Sequence, residues 1–486
     1  MGTRHDEHTP LLRDGEEADD REILRLTDDD PENPRSWPRW RKLANVAVVA
    51  FMAGKPYESI NLLLVFAHTY HSIESPGILH AVIGATTGFV VFLGIGPLIL
   101  APLSETFGRR RLYIICFSIF TLLQIPTALS PNIATLIALR TLSGFFGSVG
   151  IANGGGTLSD MFEPGERAGV FGWYLLGPLL GPTLGPLFGG IIVQRLNWRW
   201  IFWVLTIVCG VNTLAGYFLL RETYSPVLLA WRKQDYESAS ENSEGTKYRY
   251  EGEDPRPLRQ KLRQSFKRPL KILVQPIVFT MSVYQALIFG TTYSIYTNMQ
   301  SIYSGEYGFD TEQVGLMYLG PGLGFLVAVW FLVPRIDTIY NNLSKKHKGG
   351  KPEFRLPLAN IGALFIPISL FWQVFHPEMT NSSTLTNITK PATFFYGIGQ
   401  VMILNTVQNY YIDSFEKYAA SAIAAGALFR SVFGGVVPLL APGLFDKLGY
   451  GWGISIFGFL SVVLAPAPVL FWVFGERIRG RFCVEL

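Results

Sequence analysis

Four ionisable side chains stand inside long apolar stretches of this chain. Lys55 and Glu58 lie in the first stretch, Arg140 in the fourth and Arg430 in the eleventh. An arginine at the centre of a bilayer costs at least ~2.5 kcal/mol, so such residues are expected to face a protein-lined or watery interior. The four residues therefore predict a charged cavity at membrane depth.

Glu58 is the one carboxylate found well inside a predicted span, and Lys55 shares its helix face at a spacing of three. A buried glutamate can take up a proton on one side of a membrane and release it on the other. We therefore expect proton coupling at Glu58, with Arg140 holding it ionised when the two approach. The alternatives are a static buried pair, or a first span that begins later and leaves Lys55 near the outer surface.

A binding site for an organic substrate is predicted in the second half of the chain. Aromatic and amide side chains there suit an apolar pocket with a few polar handles, and we select Tyr284, Asn405, Gln408 and Arg430. Arg430 is expected to contact an anionic substrate or Glu58, or instead to bond span-end carbonyls. Asp413 is expected to cap the end of the tenth span.

The elements that must position these residues are membrane-spanning helices. Apolar residues make up 49% of the chain and charged residues 16%, below the ~25% charged of soluble domains. Stretches of about 20 apolar residues can cross the bilayer as helices. We predict an all-α membrane protein with twelve spans, at 43–66, 78–100, 112–130, 133–155, 169–193, 200–220, 273–297, 313–333, 356–376, 392–411, 419–441 and 452–474.

Basic residues predict the orientation of these spans. With a cytoplasmic amino terminus, 34 of the 41 Lys and Arg residues fall in cytoplasmic tails and loops, as the positive-inside rule expects. Two glycosylation sequons, at Asn381 and Asn387, then lie outside. A multi-pass protein of the plasma membrane is expected, although an acidic dileucine pattern at 7–12 is typical of endosomal or vacuolar sorting. The net charge of +4 reflects this topology and gives no nucleic-acid patch.

The chain divides into two six-span halves. We predict a disordered tail at 1–42, a bundle at 43–221, a cytoplasmic linker at 222–271, a second bundle at 272–475 and a tail at 476–486. Pro102–Thr106 and Pro334–Thr338 resemble each other at corresponding places, which favours two parallel repeats with the substrate site between them. The linker ends in a basic segment that is either an amphipathic helix on the inner leaflet or a solvated connection.

Several motifs resemble the major facilitator superfamily, and within it the twelve-span drug:proton antiporters of fungi. The resemblance covers about residues 31 to 478. It rests on APLSETFGRRR, RTLSGFFG, LGPTLGPLFGG, SDMFEPGERAG, WRWIFW, RETYSPVLL, KPEFRLPL and YYIDSFEKYAASAIAA. In the first motif Ala101 replaces the family's leading glycine and Glu105 its usual aspartate.

This resemblance implies a gate at the cytoplasmic face. Glu105 and Arg109 are expected to form ion pairs with Asp160 and Arg167 that hold one access state and break in the other. Exposed ion pairs contribute only ~0–1 kcal/mol each, which suits a switch. Gly108 permits the tight turn between the second and third spans.

The fifth span carries small residues at every fourth position. The motif residues Gly181, Gly185 and Gly189, with Pro182, Pro186 and Gly190, permit close approach of another helix. Packing alone explains them. The resemblance to antiporters implies in addition that this packed helix seals the cavity against ion leakage.

The expected function is secondary active export of hydrophobic or amphipathic small molecules in exchange for protons. The alternatives are a proton-coupled or facilitative carrier of a nutrient such as a polyamine or organic acid, and a non-transporting sensor. The partners expected are a small-molecule substrate, protons and lipid, with a monomeric chain. No nucleotide-binding loop, catalytic triad or metal-spaced cluster occurs, so we predict no enzyme activity, cofactor or metal.

Overall fold

The computed structural model describes residues 23–27, 29–54, 76–239, 248–250, 253, 256–305, 311–374 and 382–482. Lys55, Glu58 and Asn381 lie outside the described residues. For Asn387 the helical backbone is described but not the side chain.

The first half of the chain consists of helices joined by short turns. Residues 39–54 form helix α1. The next helices are α2 (Pro76–Phe107), α3 (Arg109–Ala128), α4 (Ile133–Gly147), α5 (Val149–Met161), α6 (Pro164–Arg195) and α7 (Arg199–Leu219). Helices α4 and α5 together make the fourth predicted span, with Ser148 between them.

The second half repeats this organisation. It contains α10 (Pro276–Gly305), α11 (Thr311–Met317), α12 (Leu319–Val327), α13 (Val333–Lys346), α14 (Pro357–Val374), α15 (Ser382–Ser414), α16 (Ala419–Leu464) and α17 (Ala467–Arg481). A π-helical turn at Ala328–Leu332 joins α12 to α13. Gly449, with φ of 76°, breaks α16, so this element contains the eleventh span and the start of the twelfth.

The prediction of an all-α membrane fold is confirmed. Seven helices of the described residues are long and apolar enough to cross a membrane, or eight if the bent pair Arg259–Leu273 and Pro276–Met299 is one span. Twelve spans are consistent with this result, because Ala419–Arg481 alone includes two of them. On α7, Ile207, Val211, Leu214 and Phe218 are 61–74% exposed along one stripe, as expected for a surface in contact with lipid.

Close helix contacts in the first bundle depend on glycine. A Cβ atom on Gly177 of α6 would lie 2.0 Å from the Ala50 carbonyl oxygen of α1, and one on Gly54 would lie 2.6 Å from the Gly177 oxygen. Neither position can hold a larger residue unless a backbone moves. Helix α6 nevertheless stays helical through Pro178, Pro182 and Pro186.

The linker between the halves is partly structured. It contains α8 (Ser225–Ala239), α9 (Leu258–Leu273) and strand β2 (Arg249–Tyr250), which pairs in parallel with β1 (Ile23–Leu24) of the amino-terminal tail.

The tail therefore differs from the predicted disordered segment 1–42 over its second part. Arg232 of α8 forms ion pairs with Asp30 at 2.7 Å and with Glu32 at 2.6 Å, and these contacts hold the tail against the linker. Polar composition alone does not reveal such partners, because they lie about 200 residues away along the chain.

Candidate functional site: a charged gate and a central cavity

A first cluster of buried charges joins the two bundles at the predicted cytoplasmic face. Glu105, near the end of α2, forms an ion pair with Arg268 of α9 at 3.0 Å. It also accepts hydrogen bonds from the backbone N–H of Ser421 at 3.3 Å and from its hydroxyl at 3.1 Å. Ser421 belongs to the first turn of α16, where backbone N–H groups have no helical partner and anions are stabilised.

Arg109 lies beside this cluster and stays within the first half of the chain. Its Nε pairs with Asp160 of α5 at 3.2 Å, and its Nη1 donates to the Ser104 hydroxyl at 2.7 Å. Its guanidinium carbon lies 4.9 Å from the centre of the Tyr224 ring. Arg109 is 3% exposed, so the pair is inside the protein rather than at the surface.

Gly108 makes the turn into α3 with φ of 97°. The Glu222 carboxylate accepts the backbone N–H of Arg109 at 2.8 Å and that of Arg110 at 3.1 Å, and so satisfies the first donors of this helix. A Cβ atom at position 108 would lie 2.6 Å from Glu222 Oε2. Glycine is therefore required both for the backbone conformation and for the approach of this carboxylate.

A second cluster lies in the other half. Asp413, at the end of α15, forms ion pairs with Arg167 of α6 at 2.8 Å and with Arg355 at 2.7 Å. Both arginines are fully buried. Arg355 also pairs with Asp337 at 2.8 Å and donates to the Pro164 carbonyl oxygen. The carboxylate expected only to cap its own helix thus holds two arginines, one from each half of the chain.

The two clusters follow the internal repeat. Asp337 stands 232 residues after Glu105 in the repeated segment. Its oxygens accept the backbone N–H groups of Ala168 at 3.1 Å and Gly169 at 2.7 Å, near the start of α6. Glu105 therefore contacts the beginning of the eleventh span, and Asp337 contacts the beginning of the fifth. Each acidic residue binds the amino-terminal end of a helix in the opposite bundle.

We call these two clusters together the gate, defined by Glu105, Arg109, Asp160, Arg167, Arg268, Asp337, Arg355, Asp413 and Ser421. Arg167 belongs to the second cluster, so it does not join Arg109 and Asp160 as the sequence suggested. Because the gate contacts cross between the bundles, this structure is closed at the predicted cytoplasmic face.

A central cavity lies between the two bundles. The first half contributes apolar side chains from α6, including Phe171, Tyr174, Leu175 and Leu179. The second half contributes rings and amides from α10, α12 and α15, and Arg430 from α16; they include Phe289, Tyr293, Phe325, Gln400, Leu404 and Gln408.

Two of the four predicted substrate-binding residues line this cavity, and two do not. Gln408 and Arg430 are in its wall. Asn405 instead directs its amide to the Ala168 carbonyl oxygen at 3.4 Å, on the gate side. Tyr284 is fully buried in the second bundle, within the cluster that includes Ile288.

Arg140 is fully buried inside the first bundle. Its guanidinium carbon lies 4.3 Å from the centre of the Phe89 ring and 5.9 Å from that of Phe202. These rings belong to α2 and α7, and Arg140 is not among the residues that line the cavity. The expected partners Lys55 and Glu58 are outside the described residues, so the proton-coupling set stays a prediction.

The motif of the fifth span lies next to the cavity. Pro182 is in the cavity wall, and a Cβ atom on Gly322 of α12 would lie 2.4 Å from the Thr183 side chain. The other motif residues are buried, namely Gly181, Gly185, Pro186 and Gly189. Gly190 belongs to the helix, but its burial is not described. This helix therefore packs closely against the second bundle beside the cavity.

Sequence reasoning missed four gate residues, namely Arg268, Asp337, Arg355 and Ser421. One of them had a usable signal, since the repeat places Asp337 where Glu105 stands in the first half. Arg355 lies in KPEFRLPL, a segment identified only by its family resemblance. Ser421 lies in YYIDSFEKYAASAIAA, also identified only by its family resemblance, and Arg268 lies in the basic segment at the end of the linker. Neither segment indicates Glu105 as a partner, because Glu105 is distant along the chain.

Comparison with known proteins agrees with this architecture. A model described as "Major Facilitator Superfamily" matches residues 46–438. The chain is 36% identical over 466 residues to the MFS-type transporter penM of Penicillium rubens, covering 93% of this chain and 88% of the relative. It is 36% identical over 459 residues to the MFS transporter cpaT of Aspergillus oryzae, covering 93% and 90%.

Solved structures share the fold at low sequence identity. The human organic anion transporter MFSD10 has a TM-score of 0.59 at 16% identity, covering 89% of this chain and 100% of that chain. The xylose transporter XylE of Escherichia coli, in a partially occluded inward-open conformation, has a TM-score of 0.60 at 14% identity, covering 90% and 98%. The fold, the family match and the relatives together establish that this chain belongs to the major facilitator superfamily.

Proposed function

We propose that this protein exports hydrophobic or amphipathic small molecules, such as drugs, toxins or fungal secondary metabolites, in exchange for protons by alternating access. The observation that carries the proposal is the central cavity, which lies between two bundles whose predicted cytoplasmic ends are held together by the gate. Substrate released from this conformation leaves toward the other face. Opening of the gate then admits the next molecule from the cytoplasm or the inner leaflet.

The wall of the cavity supports an apolar substrate. Rings and aliphatic side chains from both bundles surround a few amide groups. Pockets of this composition bind organic molecules with an apolar body and discriminate mainly by shape and a few polar contacts. A small hydrophilic nutrient would meet a wall in which apolar side chains outnumber those with amide or hydroxyl groups. A polyamine would find no carboxylate among the described lining residues.

Proton exchange is proposed for Glu58, with Lys55 and Arg140 as its cationic neighbours. The complete burial of Arg140 within the first bundle supports a role that depends on local charge rather than on surface contacts. The close packing of α6 beside the cavity supports the role of the fifth-span motif in limiting ion leakage. We also propose that the protein lies in the plasma membrane, is a monomer and carries glycans at Asn381 and Asn387.

The test uses purified protein in proteoliposomes that contain a trapped pH-sensitive dye. Addition of a transported compound is expected to move protons in the wild type, and an uncoupler is expected to abolish its accumulation. Glu58→Gln should remove the proton movement, whereas Glu163→Gln, at an exposed position before α6, should retain it. Compound-driven proton movement that persists in Glu58→Gln would exclude this residue as the coupling site, and accumulation insensitive to the uncoupler would exclude proton exchange.

A further inference from the structure

Arg430 is a buried cation in the wall of the central cavity. It is 4% exposed, and its guanidinium carbon lies 4.9 Å from the centre of the Phe289 ring. Within the described part of the chain no carboxylate forms an ion pair with it, and its Nε has no hydrogen-bond partner. A buried charge without a counter-ion is unfavourable, so the site is poised to bind a negative group.

The gate arginines show what this chain does with other buried cations. Arg167 pairs with Asp413 at 2.8 Å, Arg268 with Glu105 at 3.0 Å, and Arg355 with Asp337 at 2.8 Å. Each charge is balanced by a carboxylate of the protein itself. Arg430 is different because it faces the cavity and Phe289 is its only aromatic support among the described contacts.

The rest of the cavity suits one anionic group and no more. Arg430 is the only charged side chain among the lining residues that the structure describes. Gln408 lies in the same wall and is 1% exposed, and its amide oxygen has no hydrogen-bond partner among the described residues. An amide can turn its N–H₂ group toward an acceptor. Opposite them, Phe171, Leu175 and Leu179 of α6 offer an apolar surface.

We propose that the substrates are amphipathic monoanions, with the anionic oxygens bound by the Arg430 guanidinium and the Gln408 amide and the apolar body placed against α6. Carboxylates and ionised enols or phenols have this chemistry, and a planar guanidinium binds a carboxylate through two parallel hydrogen bonds. The inference rests on the proposed function, since it specifies the substrate class of the same cavity.

The test measures binding without any ion gradient, so it is independent of transport and of proton coupling. The probes are 1-pyrenebutyrate and its neutral counterpart 1-pyrenebutanol, titrated into protein in nanodiscs with empty nanodiscs subtracted. Wild type should bind the carboxylate more tightly than the alcohol. Arg430→Gln should weaken carboxylate binding by about 10- to 100-fold and change alcohol binding by less than about threefold. Arg430→Lys should bind the carboxylate more tightly than Arg430→Gln but less tightly than wild type, since lysine keeps the charge but cannot form two parallel hydrogen bonds.

Gln400→Leu is the matched control. It removes a polar group from the same wall without changing charge, so it should affect both probes equally. Unchanged alcohol binding by Arg430→Gln also shows that the variant is folded. The inference is overturned if Arg430→Gln weakens both probes alike, if carboxylate binding is unchanged, or if wild type binds neither probe or prefers the alcohol. Gradient-driven transport that survives any of these outcomes would leave the proposed function standing.

Discussion

The gate and the central cavity differ in whether their buried arginines are paired with carboxylates. In the gate, four arginines each form an ion pair with a carboxylate at 2.7 to 3.2 Å, and the pair between Arg167 and Asp413 crosses between the bundles. In the cavity, a single arginine rests on an aromatic ring, with apolar side chains around it. The gate is thus electrostatically complete without a ligand, which lets it hold one conformation. The cavity is incomplete, which suits a compartment that is filled and emptied in each cycle.

Loss of Asp413 should have the largest effect on this contrast, because it leaves two fully buried arginines without a shared carboxylate. Removing one partner of a buried ion pair costs about 3–5 kcal/mol, so Asp413→Asn should open the gate. The reporter is Leu404→Cys in the cavity wall, in a chain without Cys116, Cys209 and Cys483, treated with an impermeant maleimide in inside-out vesicles. Glu416→Gln is the control, since this residue is 56% exposed and 3.5 Å from Arg167. Equal labelling of the two variants would contradict the central place of Asp413.

Filling the cavity should stop transport while leaving the gate intact. Leu404→Trp places a larger side chain in the cavity wall, and overpacking there leaves no room for a substrate body. Export of a toxic compound from cells should fall to the level of a strain without the protein. Leu214→Trp, on the lipid-facing stripe of α7, should export normally. Full activity of Leu404→Trp would show that substrates pass elsewhere.

Neutralising Glu105 should have a smaller effect than Asp413→Asn. Glu105→Gln keeps a hydrogen-bond acceptor for Ser421 and leaves one buried arginine, Arg268, without its carboxylate, whereas Asp413→Asn affects two arginines. Labelling of Leu404→Cys should therefore rise, but less than in Asp413→Asn. Ser421→Ala removes only the hydroxyl, so it should increase the labelling of Leu404→Cys least. Stronger labelling in Glu105→Gln than in Asp413→Asn would show that the first cluster contributes more to closing the gate than the second.

The contact between the tail and the linker should contribute least. The hydrogen bond from Arg232 holds the pKa of Asp30 below its ordinary value. This contact is therefore fully present above the unfolded pKa of about 4 and is lost as pH falls through the lower folded pKa. Partly exposed ion pairs contribute about 0–1 kcal/mol, so Arg232→Ala at neutral pH should change the melting temperature by only a few degrees. A large change in transport would indicate that the tail controls the gate.

The fold was largely predictable because the physical signal is strong. Long apolar stretches, the distribution of lysine and arginine, and a 232-residue repeat all point to a two-bundle membrane protein. The exposed stripe of α7 and the positive φ of Gly108 belong to the same kind of local pattern. These features depend on residues that are near one another in sequence.

The cavity was predictable only in part. Gln408 and Arg430 line it, whereas Tyr284 and Asn405 face other helices, because apolar helices buried on several sides carry aromatic and amide residues on every face. The rotation of each helix about its axis decides which face meets the cavity, and composition does not report rotation. The gate pairings were hidden for a related reason, since Arg167 pairs across the bundle interface with Asp413, and Arg268 of the linker pairs with Glu105 of the first bundle.

The distance between the two bundles at the gate tests the account most directly. Spin labels at Glu166→Cys and Thr338→Cys, two exposed positions beside the contacts of Asp337 with α6, report this distance in a chain without other cysteines. We predict a short distance in the unmodified gate and a population at clearly longer distance when Asp337→Asn and Asp413→Asn are combined. The same single distance in both proteins would show that these ion pairs do not hold the bundles together and would contradict the account.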